Sequence, residues 1–298
     1  MDINHTKDPF VLARSQCISQ PLWIPELVRF IGDLKRAYQE RFDVRGIPYE
    51  ILPLDYYGTP KIETDLILKL DKFAIHNPIF RGYREDNILN CQCKIFACDV
   101  IEYWLSSKKY DASYQPFYPT WLLSSLILCL SAKLMGFKEI VDIGSGDARI
   151  PYCGAILGLR AISVELDSDL TSLQQHLVEQ TGVKFEIVND DACKTDFRKM
   201  QLSRPMFIVS ALPELGELLA EAVVSNLNQQ TDTSRKRGFV LMGSHAMKKY
   251  ARDSTGYGWG QFIARHNLYL LDCLTLPTMW TNEQLVDTPF ILSLLKQK

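Results

Sequence analysis

Val141-Asp142-Ile143-Gly144-Ser145-Gly146-Asp147-Ala148-Arg149 carries an apolar run into a turn with two glycines, and Ala148 to Leu157, closed by Gly158, reads as a helix. Strand, glycine turn and helix in that order are the repeating unit of a parallel α/β sheet. Glycine permits the positive φ a tight turn uses and lets a ligand approach the backbone closely. Amides at the start of the helix then face that ligand. Asp147 is placed to cap the helix.

Outward from this turn the α/β alternation continues. Thr120 is expected to cap a helix that runs to Leu134 and stops at Gly136, and Glu139 to Ile143 is the first strand. Ala161 to Leu166 is the second strand, and Leu170, Leu173 and Leu177 mark a helix ended by Gly182. Phe185 to Val188 and Met206 to Ser210 are strands three and four, then Leu215, Leu218, Leu219 and Val223 give a helix. Phe239 to Met242 is strand five, with Leu268 to Leu276 and Phe290 to Leu295 as strands six and seven. The periodicities behind these readings are those of helices and buried strands.

The pattern changes character at Tyr114-Gln115-Pro116-Phe117-Tyr118-Pro119-Thr120. Residues 114–298 are therefore expected to form the ligand-binding domain, and residues 1–113 an α+β region that selects the acceptor. In that region Ser19-Gln20-Pro21 opens a helix with Leu27, Ile31, Leu34 and Tyr38 at helical spacing, broken by Gly46 and Pro48. Tyr49 to Leu54 and Asp65 to Ile75 read as strands on either side of Gly58-Thr59-Pro60, and Ile101, Trp104 and Leu105 as a further helix.

Four acids lie at or near the glycine turn. Glu165 ends strand two, nineteen residues beyond Gly146, where an acidic side chain reaches both hydroxyls of a ribose. Asp191 follows strand three, within reach of an adenine amine. A nicotinamide dinucleotide would want a third glycine where Arg149 stands, and Asp142 and Asp147 are poor neighbours for a pyrophosphate. Carboxylates suit a cationic ligand without phosphate, and S-adenosylmethionine is one: a sulfonium, an ammonium, a ribose and an adenine.

On Asp142-Ile143-Gly144-Ser145-Gly146-Asp147, Glu165, Asp190-Asp191-Ala192 and the order of strands and helices, the chain resembles the class I, Rossmann-like S-adenosylmethionine-dependent methyltransferases over about 60% of its length. The resemblance implies a doubly wound seven-stranded sheet with an antiparallel last strand, so that Phe290 to Leu295 inserts beside strand five. It implies that Gly144, Ser145 and Gly146 lie against the methionine end of the cofactor and that Asp142 or Asp147 holds its ammonium. Glu165 would hold the ribose and Asp191, with Ala192, the adenine. Tyr118, Thr120 and Ser210 would line the same pocket. A finer similarity joins Tyr118-Pro119-Thr120 and the turn to archaeal and mitochondrial seven-β-strand protein-lysine methyltransferases, whose pattern is Asp-Leu-Gly-Ser-Gly-Asp-Gly-Arg-Ile. Here Ile143 replaces the leucine, Ala148 the last glycine, and some 110 residues are added ahead.

Methyl transfer is an in-line displacement at an already activated carbon, so the protein supplies alignment, worth up to about 7–11 kcal/mol, more than chemistry. Ser210-Ala211-Leu212-Pro213-Glu214 lacks the Pro-Pro-aromatic sequence of enzymes acting on base or amide nitrogens. An amine or hydroxyl of a small molecule or protein side chain is thus expected ahead of a nucleic acid. Glu214 and His245, both just past strands at the ligand edge of the sheet, are the candidate catalytic residues. A carboxylate at a helix start is also simply favourable to the helix dipole. Tyr257, Trp259 and Phe262 read as a loop over the acceptor site or as a turn packed on the N-terminal half. A non-catalytic cofactor-binding or partner subunit is the alternative function, with a nicotinamide-dependent oxidoreductase behind it.

Composition is that of an ordinary globular protein: 298 residues, 47% hydrophobic, 23% charged, net charge −2. A protein gripping a nucleic-acid backbone would usually carry a basic surplus. Trp121 to Met135 is too short to span a bilayer, and Met1-Asp2-Ile3-Asn4-His5 has no basic start or apolar run of a secretory signal. Eight cysteines in so long a chain are no disulfide framework, so a cytoplasmic protein without a membrane partner is expected. Cys91, Cys93 and Cys98 fit no common zinc spacing, and no serine lies in a nucleophile elbow.

Overall fold

The computed structural model describes residues 23–42, 46–55, 62–99, 119–228, 236–243 and 258–295. Its larger sheet is built from β4 (Glu139–Ile143), β5 (Arg160–Glu165), β6 (Glu186–Asn189), β7 (Pro205–Val209), β8 (Gly238–Met242), β9 (Leu268–Leu276) and β10 (Thr288–Leu295). The order across the sheet is β6-β5-β4-β7-β8-β10-β9. The first five run parallel, and β10 enters antiparallel between β8 and β9. This is the doubly wound seven-stranded arrangement, last strand reversed, that the resemblance implies. The order reverses between β4 and β7, the place where open sheets bind ligands at the carboxyl ends of their strands.

Period-two alternation sends each strand's side chains to two layers. Ile140, Ile208, Val240 and Leu292 face α3 (Leu122–Leu134), α4 (Arg149–Ile156) and α5 (Ser168–Thr181). Val141, Ile143, Val209, Phe239 and Leu241 face α6 (Pro213–Asn228) and α7 (Gly260–Arg265). The predicted helix stops hold: Gly136, Gly158 and Gly182 all adopt positive φ. Trp259 and Phe262 belong to neither of the arrangements expected for them. Both are fully buried in the second layer, with Trp259 Nε1 donating to the Met242 carbonyl at 2.6 Å.

The N-terminal region packs α1 (Trp23–Arg41) and α2 (Thr64–His76) around a three-stranded antiparallel sheet, order β1-β3-β2, of β1 (Tyr49–Pro53), β2 (Phe80–Ile88) and β3 (Cys91–Cys98). Leu27, Ile31, Leu34 and Tyr38 are buried as their spacing predicts. The expected strand Asp65 to Ile75 is instead the helix α2. Its buried residues Ile67, Leu70, Phe73 and Ala74 recur every three to four positions while Leu68 is exposed, a helical stripe hidden in a run of apolar residues. The β2–β3 hairpin, missing from the sequence reading, turns at Leu89 and Asn90, both at positive φ. Asn-Gly is the usual signal for such a turn, and Leu89 gives none. Cys91, Cys93 and Cys98 are buried thiols of β3, and no group of metal-ligating side chains occurs among the described residues.

The two regions share one hydrophobic core, which runs from Ile24 and Phe73 through α3 and α4 to Ile140 and Ile208. The helix predicted around Ile101 lies outside the described residues, as does the turn at Gly58. No helix among the described residues is long and apolar enough to cross a membrane.

Candidate functional site

At the carboxyl end of β4 the chain makes three left-handed steps in five residues: Gly144 (φ 71), Gly146 (φ 57) and Ala148 (φ 59). Gly144 is exposed, and a Cβ added to it would meet no atom within 4 Å, so the turn opens on free space there. Ala148 stands where the lysine methyltransferase pattern has glycine, and it adopts the backbone of a glycine. Left-handed alanine costs roughly 1–2 kcal/mol. Against that stand about 0.8 kcal/mol for burying its methyl and roughly 0.5–1 kcal/mol of backbone entropy that glycine would add. Ala148→Gly is therefore expected to unfold within about 0.5 kcal/mol of wild type by chemical denaturation. A loss beyond about 1.5 kcal/mol would show that this backbone is not left-handed.

Five amides of the turn are already used. Gly144 and Ser145 donate to the Val164 carbonyl at 2.9 and 3.3 Å, and Ala148 to the Ser145 carbonyl at 2.9 Å. Gly146 donates to Glu165 Oε2 at 2.7 Å, and Arg149 to Asp147 Oδ1 at 3.2 Å. What is left over is one carboxylate oxygen and two hydroxyls: Asp142 Oδ1, Ser145 Oγ and Ser210 Oγ are buried atoms without a hydrogen-bond partner. Asp142 is the penultimate residue of β4, and Ser210 follows β7, one step past the paired Ile143 and Val209. Burial pushes the Asp142 carboxyl up to about 8, against the pull of the neighbouring Ser145 hydroxyl and helped by the charges of Glu165 and Asp147.

Glu165 ends β5 as predicted and is 8% exposed. Its two oxygens accept from Gly146 N at 2.7 Å and from Asp167 N at 3.0 Å, and the Leu166 amide is a further backbone donor to the carboxylate. Burial raises its pKa in spite of these backbone donors. Gln174 of α5, which sequence reading passed over, completes the frame: its Nε2 donates to the Gly146 carbonyl at 2.7 Å and its Oε1 accepts from Ser163 Oγ at 2.7 Å. Nothing in a solvated-looking helix marks such a glutamine in advance. Asp191 follows β6 and is partly exposed; Lys194, at 3.0 Å, and the Cys193 amide hold its carboxyl below the usual range. Ala192 beside it is buried.

Two expectations need correction. Asp147 does not present its carboxylate to a ligand: it is fully buried, with Arg149 Nε at 2.9 Å and Nη2 at 2.5 Å, and Asn77 Nδ2 at 2.7 Å. Thr120 does not cap α3, which begins at Leu122. The Leu122 amide donates to Glu50 Oε2 of β1 at 2.7 Å, while the Thr120 carbonyl accepts from Arg149 Nη1 at 2.6 Å. Arg149 turns away into the N-terminal region, where Nη1 also meets Glu50 Oε1. Burial alone would lower the Arg149 pKa, but Asp147 and Glu50 beside it hold it above its ordinary value. Burial likewise raises Glu50, and Arg149 pulls it back down.

Of the candidate catalytic residues, Glu214 is exposed in the first turn of α6. His245 lies outside the described residues, as does Tyr118 of the pocket set. The structure thus brings Asp142, Ser145, Gly146, Glu165 and Ser210 to the carboxyl ends of the neighbouring strands β4, β5 and β7, with Asp191 and Ala192 past β6.

No protein-family model matches the chain, and no curated protein does. Among solved structures it is similar to an RNA methyltransferase candidate from Pyrococcus horikoshii, at 13% identity over 78% of this chain and 100% of that one, TM-score 0.44. It is also similar to the tRNA (uracil-54, C5)-methyltransferase of Pyrococcus abyssi in complex with S-adenosyl-L-homocysteine, at 15% identity over 58% of this chain and 38% of that one, TM-score 0.40. A third is the ribosomal protein L11 methylase of Lactobacillus delbrueckii subsp. bulgaricus, at 8% identity over 59% and 77% of the respective chains, TM-score 0.39.

Proposed function

We propose that this chain binds S-adenosylmethionine at the crevice between β4, β5 and β7 and transfers its methyl group to an amine or hydroxyl of a small molecule or protein side chain. The observation that carries the reading is the imbalance at the glycine turn. The amides of Gly144, Ser145, Gly146, Ala148 and Arg149 are spent on internal acceptors, while Asp142 keeps a buried oxygen without a donor. A pyrophosphate needs free N–H groups, and a cation needs free carboxylate oxygen. The turn offers the second.

When bound, the cofactor supplies a methyl group activated by its sulfonium. Asp142 would accept from the ammonium, with the Ser145 hydroxyl beside it. Glu165 would take the ribose hydroxyls, and Asp191 the adenine amine. Ser210, past β7, would face the acceptor side. The work of the site is then alignment and exclusion of water, which is where orientation contributes most. Glu214 or His245 would hold the proton released by an amine or hydroxyl acceptor.

Calorimetry tests the binding step. The wild-type protein is expected to bind S-adenosylmethionine, and Glu165→Ala to bind it at least tenfold more weakly, since the variant loses a charged hydrogen-bond acceptor worth about 1.5–3 kcal/mol. No binding, or equal binding by the variant, would overturn the reading. Labelled cofactor incubated with cell extract separates an enzyme from a non-catalytic subunit: persistent failure to label any acceptor would favour the subunit.

A further inference from the structure

We infer that Asn77 and Glu50, from the N-terminal region, are positioning residues of the ligand crevice, bracing the glycine turn from the side opposite the sheet. The identity of the ligand rests on the proposed methyltransferase reading; the brace itself does not. The turn is held on one side by Glu165 and Gln174, which fix Gly146 through its amide and its carbonyl. On the other side the next residue, Asp147, is fixed by donors reaching in from far along the chain. Asn77, at the end of α2, is itself held at two points: its Oδ1 accepts from Ile79 N at 3.1 Å and its backbone amide bonds back to Ala74. From that anchor its Nδ2 holds Asp147 Oδ2. Arg149 grips both Asp147 oxygens and is in turn held by Glu50 and the Thr120 carbonyl. Asn77, Glu50, Asp147 and Arg149 are all buried.

This second brace has a task that stability alone does not require. Gly146 and Ala148, on either side of Asp147, are both left-handed, and such a backbone persists where its surroundings over-determine it. Release of the Asp147 carboxylate lets the turn relax, and the Gly146 amide then leaves Glu165. The side chain proposed to take the ribose loses the donor that orients it. Residues 50 and 77 thereby tune a site to which they contribute no ligand contact of their own.

The test uses the full chain. Asn77→Leu removes the donor at similar volume, and Glu50→Gln removes the counter-charge while keeping an oxygen for the Leu122 amide. Each is expected to bind S-adenosylmethionine about tenfold more weakly than wild type at a temperature where it is fully folded. In the Asn77→Leu background the penalty of Glu165→Ala is expected to shrink, because the Glu165 frame is already loosened. A folded variant that binds like wild type, or strictly additive penalties, would overturn the inference. Amide hydrogen exchange gives a readout independent of ligand: residues 144–148 should exchange about tenfold faster in Asn77→Leu, with β8 unchanged. If wild type itself fails to bind, the ligand reading falls, and the exchange result alone decides the brace: unchanged protection at 144–148 would overturn it. Should Asn77→Leu fail to fold, Asn77→Ser and Glu50→Gln carry the same comparisons.

Discussion

Arg149→Met is expected to lower the unfolding free energy by about 3–5 kcal/mol, the usual cost of removing one partner from a buried ionic cluster. Arg149 is 3% exposed and lies between Glu50 and Asp147, themselves buried to 3% and 0% exposure. Methionine of similar reach leaves two carboxylates facing each other without a cation. Arg149→Lys should recover only part of the loss, because an ammonium cannot span Glu50, the Thr120 carbonyl and both Asp147 oxygens at once. Adding Glu50→Gln to Arg149→Met should restore stability relative to Arg149→Met alone, since one stranded charge is gone. Urea titration of the four proteins measures this. A loss below about 1 kcal/mol for Arg149→Met would mean that the cluster is solvated after all.

The ligand-free protein is expected to lose stability as pH rises from about 4 toward 8, and Asp142→Asn to flatten that slope. The sign follows from linkage: burial lifts the folded pKa of Asp142 from 3.8 to about 8, so over that window the native state holds a proton that the unfolded chain has released. Below the window both states are protonated and above it both are ionised, so the effect is confined to it. Glu50 and Glu165 are raised as well and act in the same direction, while Asp191 is lowered and acts oppositely. The difference between wild type and Asp142→Asn isolates the one group. A cationic ligand should reverse the preference by ionising Asp142, so S-adenosylmethionine binding near pH 7 should release a proton that Asp142→Asn does not release. Calorimetry in two buffers of different ionisation enthalpy reads this directly. Identical proton release by the two proteins would remove Asp142 from the ammonium site.

Much of this was legible in the residues. β-branched runs between glycine stops placed β4 to β8 within a residue or two, and the spacing of Asp142, Glu165 and Asp191 put three acids at the carboxyl ends of successive strands. Where reading failed, the cause was local ambiguity. Leu66-Ile67-Leu68-Lys69-Leu70 fits a strand and a helix equally until burial shows which residues point inward. The Leu89-Asn90 turn carries no glycine to announce its left-handed backbone. Asp147 and Thr120 were misjudged for another reason: their partners, Asn77, Glu50 and Arg149, are set by contacts between segments dozens of residues apart.

The linear order of residues by itself determined the class of the sheet, the glycine turn at its switch point and the excess of acid around it, because these depend on periodicity and on glycine's freedom at positive φ. Only the folded chain decided which acid is free. Asp142 and Asp147 are alike in composition and near in sequence, but long-range packing delivers a guanidinium and an amide to one and leaves the other with an unpaired oxygen. Charge is a property of a residue, whereas availability is a property of its surroundings.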